Sequence, residues 1–191
     1  MLTHCGTQQI ETERLILRRF NLNDWEDMNQ NWISDPKVQH GYGEPTYETE
    51  EEIKGLLNEY ISKYETNEAY RWAIILKENN ECVGQIAYFL VDSKNHFGEI
   101  EYCVGRAYQN KGYVTEATKA IIDYGFKKIN FNKIQICHRA NNYPSAKVIQ
   151  KIGFHKDGIL REYFYIDGEY IDRVFYSILK REWDTIRTCK N

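Results

Sequence analysis

This 191-residue sequence lacks the features that mark membrane, secreted and metal-binding proteins. No long uncharged apolar run occurs, which excludes a membrane-spanning helix. Residues 1–6 show no basic stretch followed by an apolar one, so nothing suggests secretion and we predict a cytoplasmic protein. Its cysteines and histidines have no C-x-x-C or metal-ligand spacing, so we expect free thiols and no bound metal. The cysteines are Cys5, Cys82, Cys103, Cys137 and Cys189.

An excess of one charge is also missing. Lys and Arg number 25 and Asp and Glu number 28, which gives a net charge of -3 and no reason to expect a nucleic-acid partner. The glycine motifs of Rossmann and P-loop enzymes are absent, because Gly41-Tyr42-Gly43 lacks the third glycine. The length and the 42% hydrophobic content predict one domain over residues 1–191, with a core over about 10–183, as a monomer or a homodimer.

Hydrophobic spacing predicts a mixed α/β fold, in which an antiparallel meander is followed by a β-α-β-α unit and a hairpin. Thr49 and Glu52 form a capping-box pattern before a helix, and Asp167-Gly168 favours a type I′ turn. The predicted elements are strands over 15–18, 71–77, 82–91, 99–104, 133–138, 163–166 and 170–178, and helices over 21–33, from 53 to 64, after 114, and over 145–152.

Residues 109–115, Gln-Asn-Lys-Gly-Tyr-Val-Thr, join an apolar strand to a helix. The first N–H groups of a helix have no partner within it, and the helix dipole is positive at that end. Asn110 tolerates the left-handed backbone that such a loop needs, and Lys111 adds positive charge. This loop therefore predicts an anion site, with the amides of residues 110–115 holding phosphate.

Three segments resemble the GNAT acyl-CoA-dependent N-acetyltransferases. Residues 109–114 resemble their Gln/Arg-x-x-Gly-x-Gly/Ala signature, and residues 142–154 resemble their Asn-x-x-Ser-x-x-Val-x-x-Lys-x-Gly-Phe pattern. The start, Thr-Glu-Arg-Leu-Ile-Leu-Arg over 12–18, and the end, over 160–183, look like the branch that contains the ribosomal-protein N-terminal acetyltransferases. The resemblance implies the GNAT fold, whose central parallel strands splay to form a slot for the cofactor.

The resemblance also implies acetyl-CoA as acyl donor, no metal, and direct transfer to a primary amine in a ternary complex. The acceptor is either the α-amine of a protein N-terminus or a small-molecule amine. Val114 stands where relatives carry Gly or Ala, and a β-branched side chain there can crowd the pyrophosphate. A non-catalytic acyl-CoA-binding module is therefore the alternative. The implied cofactor residues are Cys103, Val104, Gln109, Asn110, Lys111, Gly112, Tyr113, Val114, Thr115, Asn142 and Lys151.

An alkylammonium with a pKa near ~10.4 must lose a proton before it can attack a thioester. Glu99 and Glu101 lie at i and i+2 of one strand, so they share a face, and either can be the base or an ion-paired carboxylate. Glu99 matches the family better. The resemblance gives Ser145 a role in protonating the leaving thiolate, with Tyr143 as substitute, although Ser145 can also serve only in helix capping.

Two further expectations concern the acceptor side. A bulge near residues 103–105 would free a backbone N–H to polarise the thioester carbonyl. An acidic region can steer a cationic acceptor, or can simply stabilise the first turns of helices. That region comprises Asp35, Glu44, Glu48 and residues 50–52.

Overall fold

The structure, a computed structural model, describes residues 1–188 and is built on one eight-stranded sheet. The strands, numbered along the chain, are β1 (Ile10–Glu11), β2 (Leu15–Arg18), β3 (Tyr70–Leu76), β4 (Cys82–Asp92), β5 (Phe97–Val104), β6 (Lys133–Arg139), β7 (His155–Ile166) and β8 (Glu169–Leu179). Their order across the sheet is β1-β2-β3-β4-β5-β6-β8-β7. Every neighbouring pair is antiparallel except β5 and β6, which confirms a meander followed by a parallel crossover.

Helices cover both faces of the sheet. They are α1 (Trp25–Met28), α2 (Pro36–Tyr42), α3 (Glu50–Ser62), α4 (Tyr113–Tyr124), α5 (Tyr143–Ile152) and α6 (Lys180–Thr188). Buried side chains of α1 to α3 form one core cluster with the sheet, and those of α4 to α6 form another on the opposite face. Within residues 1–188, no helix is both long enough and apolar enough to span a bilayer.

The parallel pair β5 and β6 splays apart halfway along its length. Residues 97–100 of β5 pair with residues 133–136 of β6, and the pairing stops there. Beyond it, β5 continues against β4 as far as Val104, and β6 continues against β8 as far as Arg139. The predicted splay is confirmed. It opens a gap in the middle of the sheet, where backbone groups that would pair between strands are free for a ligand.

Local signals predicted several element ends correctly. Thr49 Oγ1 accepts from the Glu52 N–H and the Glu52 carboxylate accepts from the Thr49 N–H, which is the predicted capping box of α3. Asp167 and Gly168 have φ of 52° and 85°, as a type I′ turn requires. Asn142 caps α5 through a 3.2 Å bond from the Ser145 N–H to its Oδ1.

Other segments differ from the sequence prediction. Residues 21–33 are helical but change hydrogen bonding along their length, from a 3₁₀ turn through α1 to a π turn. Strand β7 begins at His155 rather than at residue 163. Because β7 is an exposed edge strand, its first residues do not alternate between apolar and polar, which is the pattern that predicts a strand. Helices α2 and α6 were not predicted, because each is short and buries little of its surface.

Candidate functional site

A groove of about 390 Å³ runs along the splayed strands, between the N-terminal ends of α4 and α5 and the C-terminal end of α2. Ser145 lines it, and so does every residue predicted to bind the cofactor except Lys111. The groove therefore brings together two segments that lie far apart in the sequence, the loop before α4 and the start of α5. Its lining from the predicted set is Cys103, Val104, Gln109, Asn110, Gly112, Tyr113, Val114, Thr115, Asn142, Ser145 and Lys151.

The loop before α4 has the backbone of an anion cradle. Asn110 has φ of 61° and Gly112 has φ of 84°, so the chain turns twice through the left-handed region before the helix. Gly112 is the N-cap residue, and no side chain caps the helix. The backbone N–H groups of residues 110–115 make no hydrogen bond to any group within the described chain. These donors, with the positive end of the helix dipole, suit a phosphate group.

Arg14 braces this cradle from the side. Its Nη1 donates to the Lys111 carbonyl at 3.0 Å, and its Nη2 lies 2.7 Å from the carboxylate of Glu116 in the first turn of α4. The guanidinium also sits 4.7 Å above the ring of Tyr113. Glu116 would otherwise place a negative charge beside a bound phosphate, so Arg14 both holds the loop and neutralises that charge. This contact gives a physical role to the Thr-Glu-Arg-Leu segment at the start of the chain.

Positive side chains surround the groove, although Lys111 is not among them. Lys37 of α2 and Lys147 and Lys151 of α5 line the groove. The Lys111 amine lies 5.4 Å from the Tyr108 ring centroid, outside the groove lining. The sequence predicted Lys151 and missed Lys37 and Lys147, because no local pattern connects α2 to α5. Three cations suit a ligand that carries several phosphate charges.

The C-terminal end of β5 offers free backbone donors to the groove, but for a different reason than predicted. The irregularity in this strand pair lies at Phe89 of β4, between Tyr88 and Leu90, so the predicted bulge at residues 103–105 was wrong. The Gly105 N–H donates to the Val83 carbonyl, so alternate residues of β5 point their N–H groups toward β4. The N–H groups of Tyr102 and Val104 therefore face the splay, where β6 no longer pairs with them.

Ser145 pairs with Tyr102 across the groove. Their hydroxyl oxygens lie 2.8 Å apart, which places a serine of α5 against a tyrosine of β5 at the splay. Burial raises the pKa of Tyr102 to about 12, and the hydrogen bond to Ser145 lowers it in part. Sequence reasoning missed Tyr102, since only the tertiary fold brings it to Ser145. Tyr143 is 70% exposed and does not line the groove, so it is not placed to substitute for Ser145.

A second cavity, of about 230 Å³, adjoins the groove on the α3 side of the sheet. Two carboxylates, Glu44 and Glu101, line it together with the Arg71 guanidinium. Phe89 is the extra residue of the β4 bulge and forms part of the wall of this cavity. The bulge therefore adds an aromatic side chain to the cavity. The remaining lining is Tyr60, Lys63, Tyr64 and Ala69. We call this cavity the side pocket.

Both predicted base candidates are held in ion pairs. Glu99 is buried, with one oxygen 2.7 Å from Arg173 Nη2 and the other accepting from Gln135 Nε2 at 2.7 Å. Glu101 lies 2.6 Å from Arg71 Nη2. Of these two glutamates, Glu101 lines the side pocket, whereas Glu99 lines neither the pocket nor the groove. The two carboxylates share a face of β5, as predicted, but different arginines hold them.

The acidic region contains one carboxylate that lines the side pocket. Asp35 caps α2 and pairs with Arg106, while Glu52 belongs to the capping box of α3. Glu50 pairs with Lys54 at 2.5 Å on the helix surface. Most of the region therefore stabilises helices, and Glu44 is its only member that lines the pocket.

The described residues include free thiols but no cluster of metal ligands. Within residues 1–188, no group of three or more His, Cys, Asp or Glu side chains is arranged to hold a metal ion. Cys5, Cys82, Cys103 and Cys137 are free thiols, and Cys189 lies outside the described residues. Burial raises the pKa of the Cys103 thiol well above its ordinary value, so this groove residue is a poor nucleophile at neutral pH.

Comparison with known proteins gives one consistent family. The family described as acetyltransferase (GNAT) domain matches residues 14–155. The chain is 34% identical to an uncharacterized N-acetyltransferase p20 of Bacillus licheniformis, over 92% of this chain and 98% of that one. It is 26% identical to the ribosomal protein uS5-alanine N-acetyltransferase of Escherichia coli, over 68% of this chain and 66% of that one.

Solved structures agree with the sequence relatives. An acetyltransferase (GNAT family) from Bacillus anthracis has a TM-score of 0.80 and 30% identity, and covers 92% of this chain and 100% of its own. A spermidine N-acetyltransferase from Vibrio cholerae, solved with CoA and spermine, has a TM-score of 0.78 over 90% of this chain and 99% of its own. At 22% identity, the latter shows a shared fold alone.

Proposed function

We propose that this chain, which belongs to the GNAT family and is an N-acetyltransferase, transfers an acetyl group from acetyl-CoA to the primary amine of a small acceptor. The single observation that carries the proposal is the groove at the splay. Free amides of a helix start, three lysines and the Ser145–Tyr102 pair meet there. The cytoplasm remains the predicted location.

The groove supports acetyl-CoA as the donor. Its cradle before α4 offers the N–H groups of residues 110–115 to the pyrophosphate, and Lys147 and Lys151 of α5 stand opposite. The arm of the cofactor would then follow the gap between β5 and β6 toward Tyr102. Val114 lines the groove while it also packs against the core, so part of its side chain is directed away from the phosphates. A spermidine N-acetyltransferase with the same fold was solved with CoA.

The side pocket supports a small acceptor over the N-terminal segment of a protein. Its volume of about 230 Å³ is below the ~300–1,000 Å³ of pockets that hold drug-sized ligands. Three of its eight lining residues are aromatic, namely Tyr60, Tyr64 and Phe89, and the others include charged groups. An extended peptide needs an open groove, whereas this cavity suits one compact amine-bearing group.

The chain's own groups can carry the reaction. The N–H groups of Tyr102 and Val104 face the splay, where they can donate to the thioester oxygen as it becomes negative. The amine attacks the carbonyl carbon from the side pocket, and the carbon–sulfur bond breaks. The Ser145 hydroxyl, supported by Tyr102, donates a proton to the departing thiolate.

Removing the Ser145 hydroxyl should slow turnover without removing the cofactor. We expect Ser145→Ala to lower kcat about 100-fold, the low end of the usual contribution of a general acid, because the Tyr102 hydroxyl is beside it and water can enter. The acetyl-CoA dissociation constant should stay within about twofold, since the cradle is untouched. Steady-state kinetics and calorimetric titration check both values. An unchanged kcat in Ser145→Ala would remove Ser145 from the mechanism.

The first test of the proposed function is a panel of amines with acetyl-CoA. The panel contains spermidine, an α-amino acid, kanamycin and a tetrapeptide with a free alanine N-terminus. CoA release is followed with a thiol reagent, and mass spectrometry confirms one added acetyl group. Turnover of a small amine is expected. Turnover of the tetrapeptide alone would contradict the small-acceptor proposal, and tight acetyl-CoA binding with no turnover of any member would favour the binding module.

A further inference from the structure

We infer that the side pocket is the acceptor site and that Glu44 is the general base that takes the proton from the acceptor ammonium. This inference rests on the proposed function and deepens it, because it names the residue that activates the amine. Sequence reasoning favoured Glu99 or Glu101 for this role. The arrangement of carboxylates and arginines around the pocket points instead to a residue in the loop after α2.

The side pocket and the groove share two walls. The segment at the end of α2 contributes Tyr42 to the groove and Glu44, two residues later, to the pocket. Strand β5 contributes Cys103 to the groove and Glu101, two residues earlier, to the pocket. Two residues span about 7 Å of a strand. The two cavities therefore lie near each other where β5 leaves β6, at the place where the thioester end of a bound donor would lie.

Glu44 is the pocket carboxylate that no cation holds. Within the described part of the chain, its side chain forms neither a hydrogen bond nor an ion pair, whereas Glu101 is bonded to Arg71. Arg71 is itself held by a 2.6 Å bond to Gln85 Oε1 and by the Tyr60 ring, 4.2 Å from its guanidinium carbon. An ion pair with a guanidinium favours the ionised form of a carboxylate and so opposes the gain of a proton. Glu44 can accept one freely.

The surroundings of Glu44 favour proton uptake. Glu44 is exposed along one side. Partial desolvation in the pocket still raises its pKa above the ordinary value, the charge of Glu101 raises it further, and Arg71 opposes both. A raised carboxyl pKa brings the base closer to neutrality, where a general base works best. The titratable or charged groups around it are Glu101 of β5, Arg71 of β3, Tyr42 of α2, Tyr60 of α3, Lys63 and Tyr64 of the following turn, Tyr47 of the loop before α3, and Arg139 of β6, which lies beside Gly43.

The proton and electron pairs balance in this step. The acceptor enters as an ammonium and passes one proton to the Glu44 carboxylate. Its freed lone pair forms the new carbon–nitrogen bond, the carbon–sulfur bond breaks, and the amide nitrogen loses its second proton to solvent. The thiolate takes a proton through Ser145, and Glu44 returns its own proton to solvent. The net products are the acetylated amine, CoA with a free thiol, and one proton.

The test measures kcat/KM against pH for the panel amine that the wild type acetylates fastest. Wild type should be level near neutrality, because between the pKa of the carboxyl group and that of the ammonium (~10.4) the base is fully ionised and the acceptor is fully protonated. Glu44→Gln should fall about 100-fold at pH 7 and should rise by one logarithmic unit per pH unit, because solvent alone then deprotonates the amine. Glu78→Gln, which changes an exposed carboxylate outside both cavities and outside the acidic region, is the matched control and should behave as wild type.

Further readouts separate a catalytic role from a structural one. The melting temperature and the acetyl-CoA dissociation constant of Glu44→Gln should equal those of the wild type. A wild-type rate at pH 7 in Glu44→Gln, or a loss that does not depend on pH, would overturn the inference while the proposed function stands. The inference would also be overturned, with the proposed function standing, if Glu101→Gln gives the sloping pH profile and Glu44→Gln does not. A wild type that acetylates no amine would overturn the proposed function and this inference with it.

Discussion

Gly112→Glu is expected to weaken acetyl-CoA binding about 1,000-fold while the protein remains folded. Gly112, with φ of 84°, is the residue just before α4, and the N–H groups on either side of it are the ones proposed to hold pyrophosphate. A carboxylate about 4 Å from a phosphate is repelled by about 4 kcal/mol at an effective dielectric of ~20. That energy corresponds to roughly three powers of ten in the dissociation constant.

The loss of stability in Gly112→Glu should be much smaller. A side chain in the left-handed region costs about 1–2 kcal/mol, and the added Cβ would lie 3.3 Å from Arg14 Nη2, the movable end of a side chain. Gly168→Glu is the matched control, because Gly168 has φ of 85° and a Cβ added there would have no atom within 4 Å. Both variants should unfold at similar denaturant concentrations. Equal acetyl-CoA affinity in Gly112→Glu and wild type would refute the cradle.

Glu99→Gln is expected to destabilise the protein by about 3 kcal/mol. Glu99 is 4% exposed, and its two oxygens accept from Arg173 and from Gln135. Removing one partner of a buried ion pair leaves the other charge uncompensated, which costs about 3–5 kcal/mol. Glutamine keeps one acceptor oxygen, so the low end of this energy range applies. Its NH₂ group, however, then faces a donor group of Arg173 or Gln135. Equilibrium unfolding in urea measures the change.

Two further variants show whether burial causes this effect. Glu50→Gln removes a carboxylate from the surface pair with Lys54 and should change the unfolding free energy by less than about 0.5 kcal/mol. Replacing both Glu99 and Arg173 with methionine removes both charges and should recover most of the lost stability. If Glu99→Gln is as stable as the wild type, the pair does not stabilise the fold in the way its geometry suggests.

The parts of the site that the sequence predicted are those whose chemistry depends on nearby backbone. The cradle follows from Asn110 and Gly112, which permit two left-handed turns before α4. The start of α5 follows from Asn142, whose side chain accepts from the Ser145 N–H. Short-range rules describe both, because the interacting groups lie within a few residues of each other.

The parts that it missed join residues distant in the chain. Arg14 bonds to Glu116, 102 positions away, and Tyr102 bonds to Ser145, 43 positions away. Neither contact carries a local signal, since an arginine just before a strand or a tyrosine beside a glutamate does not indicate a distant partner. The bulge was predicted in the wrong strand because register depends on both partners, β4 and β5, and one strand alone does not determine it.

By itself the sequence determined the mixed α/β class, the left-handed turns of the loop before α4 and the family, because hydrophobic period, turn residues and two spaced motifs are properties of contiguous segments. Only the tertiary structure decided which carboxylates are free. Glu99 and Glu101 were both base candidates along β5, with Glu99 preferred, yet Arg173 and Arg71 hold them. Glu44 lines the side pocket and, among the described residues, pairs with no cation. Charge pairing depends on distances across the sheet, and folding alone sets those distances.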